Sequence, residues 1–375
     1  IKLMERDKIV ANYMNTDLDT YVKFVDEFDN RLFEKNRNDN DYLKIRIGSG
    51  VVASNCQVDY KKEDYVDTDD ELKDFPQIMH DKYQYISSMP VCLDIKDVNA
   101  VGFIGKRNKL YQMGKNLIIE YAASHFYKDV KLFMIMDEED VSLFEWARWM
   151  KITYSEAYGM RNFMYDKESA KTTLEFLYSE LSRREAMGAP SDDMPEYIVL
   201  VYKSSAISTH PVSKYIDKAN DLGFRFIFFE EYEEYLNSEC STRIFLSDKG
   251  YSGYIQDVKD GESIQKFDYT HISGEAALHL SKKLGAVCFD EVSLENTLTK
   301  NITLFKLLGI MNPYDLNLGE RWSKSEIYKS MAAPIGVKSG DEIVYLDLHE
   351  KYHGPHGLVA GTTGSGKSEI LQTYI

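Results

Sequence analysis

The sequence predicts an α/β chain built on a parallel sheet with crossover helices. Three observations carry this. From Val91 onward, strand-like apolar runs alternate with helix-like stretches. The runs are rich in β-branched and aromatic residues, as strands buried on both faces are. Near the carboxyl end, a glycine-rich loop stands between a short apolar run and a helix.

At 375 residues the chain has room for two or three domains, each with its own core. Hydrophobic residues make up 43% and charged residues 28%, both globular values. No run of eighteen apolar residues occurs, so no transmembrane helix is expected within the chain, and no signal peptide is visible. Ile1 and Ile375 both stand inside helix-like stretches, so both ends read as cuts in a longer protein. Cys56, Cys92, Cys240 and Cys288 show no metal-ligand spacing, which argues against a zinc site or disulfide framework and fits a reducing compartment. The formal net charge of −16 repels phosphate backbones and argues against non-specific nucleic-acid binding. The acid concentrates in Asp59 to Asp81 and in EEYEEY at Glu230 to Tyr235, which read as solvated loop or helix faces.

Residues 1–90 read as a neck. Val22, Val25, Phe28, Leu32 and Phe33 recur at helical spacing, NRNDND is a turn cluster, and YLKIRIGSG reads as a strand ending in a turn. Residues 91–289 read as a doubly wound α/β domain. Its elements are VCLDI, AVGFIG, the helix KLYQMGKNLIIEYAASHFY, the strand VKLFMIM, helical SLFEWARWM and a helix from Thr172 to Arg184. The central strand YIVLVY, the strand FRFIFF and the hairpin RIFLSDKGYSGYIQD follow. Residues 290–333 read as a linker with helical pieces. Residues 334–375 open a second domain with the strand pair PIGVKSGDEIVYLDL, turning at Ser339-Gly340.

The last segment carries chemistry. GTTGSGKS, from Gly361 through Thr362, Thr363, Gly364, Ser365, Gly366 and Lys367 to Ser368, fits G-x-x-x-x-G-K-[ST] in full. GLVA at 357–360 reads as the short buried strand before it, and KSEILQTYI as the helix after it. Such a loop curls backbone N–H groups around phosphates and adds the positive end of a helix dipole. Lys367 is expected to reach the β and γ phosphates of ATP, and Ser368 to hold Mg²⁺ through its hydroxyl. Hydrolysis also requires an acidic strand, a water-positioning residue and usually an arginine. No catalytic residue of that set is expected in this stretch, which should not hydrolyse ATP alone.

A second loop, VGFIGKRNK, occupies a similar position in the middle domain. It keeps Gly102 and Gly105, followed by Lys106 and Arg107, but lacks the Gly-Lys-Ser/Thr end. YIVLVYKSS likewise ends in Tyr202 and Lys203 where a metal-holding acid would stand. Two readings stand open on these residues, an ATPase-like domain that has lost catalysis and an ordinary α/β domain with a glycine turn.

GPHGLVAGTTGSGKSEILQTYI closely resembles the first-ATPase loop of the FtsK/SpoIIIE-type ATPases of type VII secretion, the EssC/EccC family. LFEKNRNDNDYLKIRIGSG, FEWARWM and APIGVKSGDEIVYLDL resemble three further segments of that family, in the same order. The resemblance implies a degenerate ATPase-like domain before the true ones, which fits VGFIGKRNK, and makes residues 334–375 the start of the first ATPase domain. It also implies membrane helices upstream that anchor the parent protein, this stretch being its soluble part at the cytoplasmic face of the bacterial membrane. Further implications are downstream ATPases engaging WXG-type secreted substrates, other membrane components of the secretion system as partners, and a hexamer. A DNA translocase, or a regulatory scaffold that never hydrolyses ATP, are the alternatives.

Overall fold

The computed structural model describes residues 2–54, 74–156, 159–188, 194–258, 264–287, 302–310, 312–338, 342–361 and 366–374. It divides the chain into two compact units, Ile1–Cys288 and Phe289–Ile375. Cys56, Cys288, the acidic stretch up to residue 73 and the Ser339-Gly340 turn lie outside the described residues, as do Thr362, Thr363, Gly364 and Ser365.

The first unit opens with α1 (Lys2–Met14), α2 (Leu18–Glu27), β1 (Lys44–Ala53), α3 (Phe75–Tyr83), β2 (Tyr85–Asp94) and β3 (Ala100–Ile104). Then come α4 (Arg107–Ser124), β4 (Val130–Ile135), α5 (Val141–Phe144), the short strands β5 (Tyr154–Ser155), β6 (Met160–Arg161) and β7 (Phe163–Met164), and α6 (Lys167–Met187). It ends with β8 (Glu196–Val201), α7 (Ser204–Ser208), β9 (Phe224–Glu230), β10 (Cys240–Leu246), β11 (Ser252–Asp257), β12 (Ile264–Asp268) and α8 (Gly274–Ala286).

Ten of these strands form one sheet in the order β2-β1-β12-β11-β10-β3-β9-β8-β4-β7. From β10 to β7 every neighbouring pair is parallel, and from β10 out to β2 every pair is antiparallel. The YIVLVY run is a central strand as expected, with β9 parallel on one side and β4 on the other. Its residues alternate between two cores. Ile198 and Leu200 pack with Leu110, Leu117 and Leu280 of α4 and α8, whereas Val199 and Val201 pack with Leu177 and Leu181 of α6 and with Ile216. Helices therefore cover both faces, and a strand buried on both sides needs no polar residue, which is why its sequence is a continuous apolar run.

Several elements differ from expectation. The amphipathic stretch at the start is two helices, because Asp17 breaks in and caps α2 by accepting from the Thr20 amide, and Phe28 closes α2 in the left-handed conformation at φ 51°. The strand expected in a neck, β1, belongs to the large sheet, paired on one edge with β2 and on the other with β12. FEWARWM is wound in short 3₁₀ turns after α5 rather than one helix. The helix expected over Thr172 to Arg184 runs longer, because Asp166 and Ser169 form a capping box at the start of α6.

One buried charge set ties α6 to the sheet. The Arg184 guanidinium is 1% exposed; it donates from Nε to Glu180 Oε1 at 2.8 Å, from Nη1 to Leu222 O at 2.9 Å and from Nη2 to Pro195 O at 2.7 Å. It also lies 4.6 Å from the Tyr197 ring centre and 5.1 Å from that of Phe224. Arg183 holds the same Glu180 carboxylate from the solvent side.

The second unit holds α9 (Leu304–Leu308), α10 (Leu318–Lys324), the antiparallel pair β13 (Ala332–Lys338) and β14 (Glu342–Asp347), and α11 (Lys367–Tyr374). GLVA at 357–360 is not a strand, and Leu358 is 95% exposed. A strand of that composition is stable only between neighbours, and among the described residues none pairs with it.

Candidate functional site

Taking β3, β4, β8, β9 and β10 as strands one to five of the parallel core, their sheet order is 5-1-4-3-2. The chain leaves β3 over one face, through α4, and returns under the other through α6, so the crevice at the carboxyl end of β3 is the switch point where open α/β sheets bind ligands. The loop Gly105-Lys106, between β3 and α4, sits at that crevice.

The first helix amide and the cations that a nucleotide would use there are already engaged by the protein itself. The first amide of α4, Arg107 N, donates to Glu231 Oε1 at 3.2 Å, so a carboxylate of the chain caps the helix end where a phosphate would. The Arg107 guanidinium donates from Nε to Tyr111 Oη at 2.6 Å and from Nη2 to Asp140 Oδ2 at 2.7 Å, and both contacts push its pKa up. Lys106 pairs with Asp248 at 2.9 Å. At the end of β8, Lys203 pairs with Asp137 at 2.5 Å, bridging to the end of β4. Thus Lys106 and Arg107, the cations of the loop, each face a carboxylate.

The glycines of this loop serve packing. A Cβ on Gly102 would stand 2.6 Å from Leu236 Cδ1, and one on Gly105 would stand 3.1 Å from Leu246 Cβ. Apolar volume fills the crevice behind them. Phe103 stacks on Phe229 with centroids 5.2 Å apart, Phe229 on Tyr202 at 4.2 Å and 6°, and Tyr202 on Tyr111 at 5.3 Å, with Phe144 against both tyrosines. Tyr202 stands where β8 would present a metal-holding acid. Its hydroxyl is buried without a hydrogen-bond partner, and burial lifts its pKa well above the usual tyrosine value. The open groove beside this column, about 1060 Å³, is lined by Asp137, Glu138, Glu139, Asp166 and Glu168 together with Arg107, Lys167 and Lys203, an excess of acid that disfavours a triphosphate.

The column depends on Gly114, because a Cβ there would lie 1.7 Å from Tyr202 Oη. Gly114→Ala is expected to lower stability by about 1–3 kcal/mol through overpacking. Adding Tyr202→Phe should recover most of that loss, and Tyr202→Phe alone should be neutral or stabilising, since it removes an unpaired buried hydroxyl. Thermal unfolding of the three variants checks this; equal losses from Gly114→Ala in both backgrounds would show that the hydroxyl is not the obstacle.

In the second unit, Gly366 takes φ +84°, a conformation that favours glycine, and α11 begins at once with Lys367 and Ser368. Lys367 Nζ donates to Gly361 O at 2.6 Å, reaching back across the loop that the motif encloses. α11 is anchored just ahead of β13 by Tyr374, whose hydroxyl donates to Met331 O at 2.9 Å. The structure therefore brings together Gly361, Gly366, Lys367 and Ser368. These residues fit a nucleotide, since an ammonium and the amide end of a helix face one loop. In the first unit Gly102, Gly105, Lys106 and Arg107 are brought together but do not fit one. Sequence reasoning passed over Glu231, Asp137, Asp140 and Asp248, which occupy that crevice. A signal for Glu231 existed in EEYEEY directly after β9, but it reads as a solvated run until the fold places it at α4.

Residues 319–375 match the FtsK/SpoIIIE family. Over 354 residues, 92% of the chain, it is 29% identical to the type VII secretion system protein EssC of Staphylococcus aureus strain NCTC 8325. Over its whole length it is 28% identical to the ESX secretion system protein EccC of Geobacillus thermodenitrificans. The chain spans about a quarter of the length of these relatives, 24% and 25%. Among solved structures, the cytoplasmic domain of the Thermomonospora curvata type VII secretion ATPase EccC superposes with a TM-score of 0.45 at 14% identity, covering 84% of this chain and 40% of that one. Residues 319–375 thus match the FtsK/SpoIIIE family, and the chain as a whole is similar to the EssC and EccC proteins of type VII secretion.

Proposed function

We propose that this chain is part of an ATP-driven protein-secretion motor, in which the second unit contributes the phosphate loop of an ATPase and the first unit is an ATPase-like domain that holds no nucleotide. The observation that carries the reading is the contrast between a complete phosphate-loop motif at the start of α11 and a closed crevice after β3. GTTGSGKS runs into α11 with Lys367 and Ser368 in its first turn, whereas the crevice after β3 is filled by Glu231, Asp140 and the Tyr202 column. With ATP and Mg²⁺ bound, Gly361 to Gly366 would cradle the phosphates, Lys367 would stand against the β and γ phosphates, and the Ser368 hydroxyl would hold the ion.

The first unit would serve as a rigid spacer and regulatory platform between membrane-anchored segments and the ATPase domains. No helix among the described residues is long and apolar enough to cross a membrane. Export of WXG-type substrates, a hexameric ring and contact with other membrane components of the system are part of the same proposal, supported by the resemblance to EssC and EccC. The net charge of −16 weighs against the DNA-translocase reading.

The closed crevice is tested in the 375-residue chain carrying Lys367→Ala, which disables the second unit's loop. Calorimetric titration with Mg-ATP is expected to show no saturable heat. Micromolar affinity in that background, a binding free energy of roughly 8 kcal/mol, would place a working nucleotide site in the first unit and sink the reading.

A further inference from the structure

A cavity of about 260 Å³ lies in the first unit away from the crevice, walled by α2, α4, β1 and the end of β12. Its deepest polar group is Glu120 of α4, a residue 1% exposed whose Oε1 has no hydrogen-bond partner. Asp17, Asp19 and Asp268 also line it, and its one cation is Arg46. That guanidinium is already engaged: Nε donates to Gly48 O at 3.1 Å, Nη1 to Asn12 Oδ1 at 2.8 Å and Asn15 O at 3.1 Å, and Nη2 to Ser49 Oγ at 2.6 Å. Arg46 therefore offers little to an anion, whereas Glu120 Oε1 is an unused acceptor, even though Asp17 already accepts from the Thr20 amide. Among the described residues, no three His, Cys, Asp or Glu side chains converge as metal ligands. The space suits an elongated cation with several N–H donors rather than a bare ion.

We propose that this cavity binds an alkylammonium group, with Glu120 as its inner acceptor and Asp17 and Asp19 at the rim. The chemistry has two sources, a free diamine or the side chain of a lysine on a partner protein. Burial raises the Glu120 pKa well above the usual carboxylate range, against the pull of Lys35 and Arg46, and Asp17 adds to the rise. Lys35, buried behind Glu120, donates to Lys44 O and lies 4.0 Å from Asp41, and Tyr21 of α2 faces the same carboxyl. The raised pKa favours the neutral carboxyl, whereas an arriving cation favours the ionised one, so binding is coupled to proton release, and affinity increases with pH until Glu120 is ionised without the ligand and then levels off.

The test titrates the 375-residue chain with 1,4-diaminobutane by calorimetry at pH 6, 7 and 8. Saturable one-to-one binding is expected, strengthening by up to about tenfold per pH unit. Glu120→Gln, with an unchanged melting temperature, should weaken it at least tenfold. Asp19→Asn, an exposed rim substitution that leaves the core intact, should weaken it severalfold. Tighter binding of a lysine-containing tripeptide than of the diamine assigns the site to a protein partner, and the reverse assigns it to a free polyamine. The proposal is overturned if no binding is seen, if magnesium competes equally with the diamine, or if affinity is flat with pH and unchanged in both variants.

Discussion

On the proposed ATPase reading, Lys367→Ala is expected to lower ATP turnover at this loop by roughly two to three orders of magnitude in the full-length protein, the size of effect seen when one preorganised donor to a developing charge is removed. The ammonium of Lys367 already reaches back over the loop to Gly361 O, so it needs little rearrangement to meet a phosphate. The fold should survive, because Lys367 belongs to the half-exposed start of α11 rather than to a core. The 375-residue chain alone is expected to hydrolyse no ATP. The segment before the loop, 357–360, is not a strand and pairs with no described residue. Turnover measured side by side for the 375-residue chain, the full-length protein and its Lys367→Ala variant decides the matter. Steady hydrolysis by the short chain that vanishes with Lys367→Ala would refute this division of labour.

Arg184→Ala should be the most destabilising single change in the first unit, about 3–5 kcal/mol, because it leaves the buried Glu180 carboxylate and two buried carbonyls without their partner. For a unit of this size that corresponds to a drop in Tm on the order of 10 °C. Arg183 retains part of the Glu180 charge, so the single change should fall at the lower end and the pair Arg183→Ala with Arg184→Ala beyond it. Arg184→Met, which keeps the apolar stem over Tyr197 and Phe224, should cost less than Arg184→Ala. Thermal unfolding of all three gives the order; an Arg184→Ala protein within 1–2 °C of wild type would mean the charge set contributes almost nothing.

What could be read from the sequence was local, and what could not was long-range. YIVLVY and FRFIFF announced themselves because a strand buried on both faces is apolar throughout, and RIFLSDKGYSGYIQD because two strands meet across a short glycine-containing turn. GTTGSGKS was legible because its chemistry fixes residue types at fixed spacing. The membership of β1 in the large sheet was not legible, since its partner β12 lies more than two hundred positions away and nothing in KIRIGSG names it. Glu231 was hidden for the same reason: its role exists only once β9 lies beside β3. GLVA failed in the opposite sense, since its composition asks for strand neighbours that no described residue supplies.

The way the sheet closes also sets an order of events during synthesis. Ser49 pairs with Asp268, and β3 lies between β9 and β10, so the first strand has only β2 beside it, and β3 has neither neighbour, until most of the unit has left the ribosome. At roughly 5–20 residues per second, the hairpin of β1 and β2 waits for β12 on the order of ten seconds or more, with an open edge and apolar residues such as Ile45, Ile47 and Leu93 exposed. Few local contacts can hold it meanwhile, and non-local pairing of this kind folds slowly. Nascent chains of this protein should therefore depend on chaperones until Asp268 has emerged, and truncations that stop before β12 should aggregate instead of accumulating as a smaller folded domain.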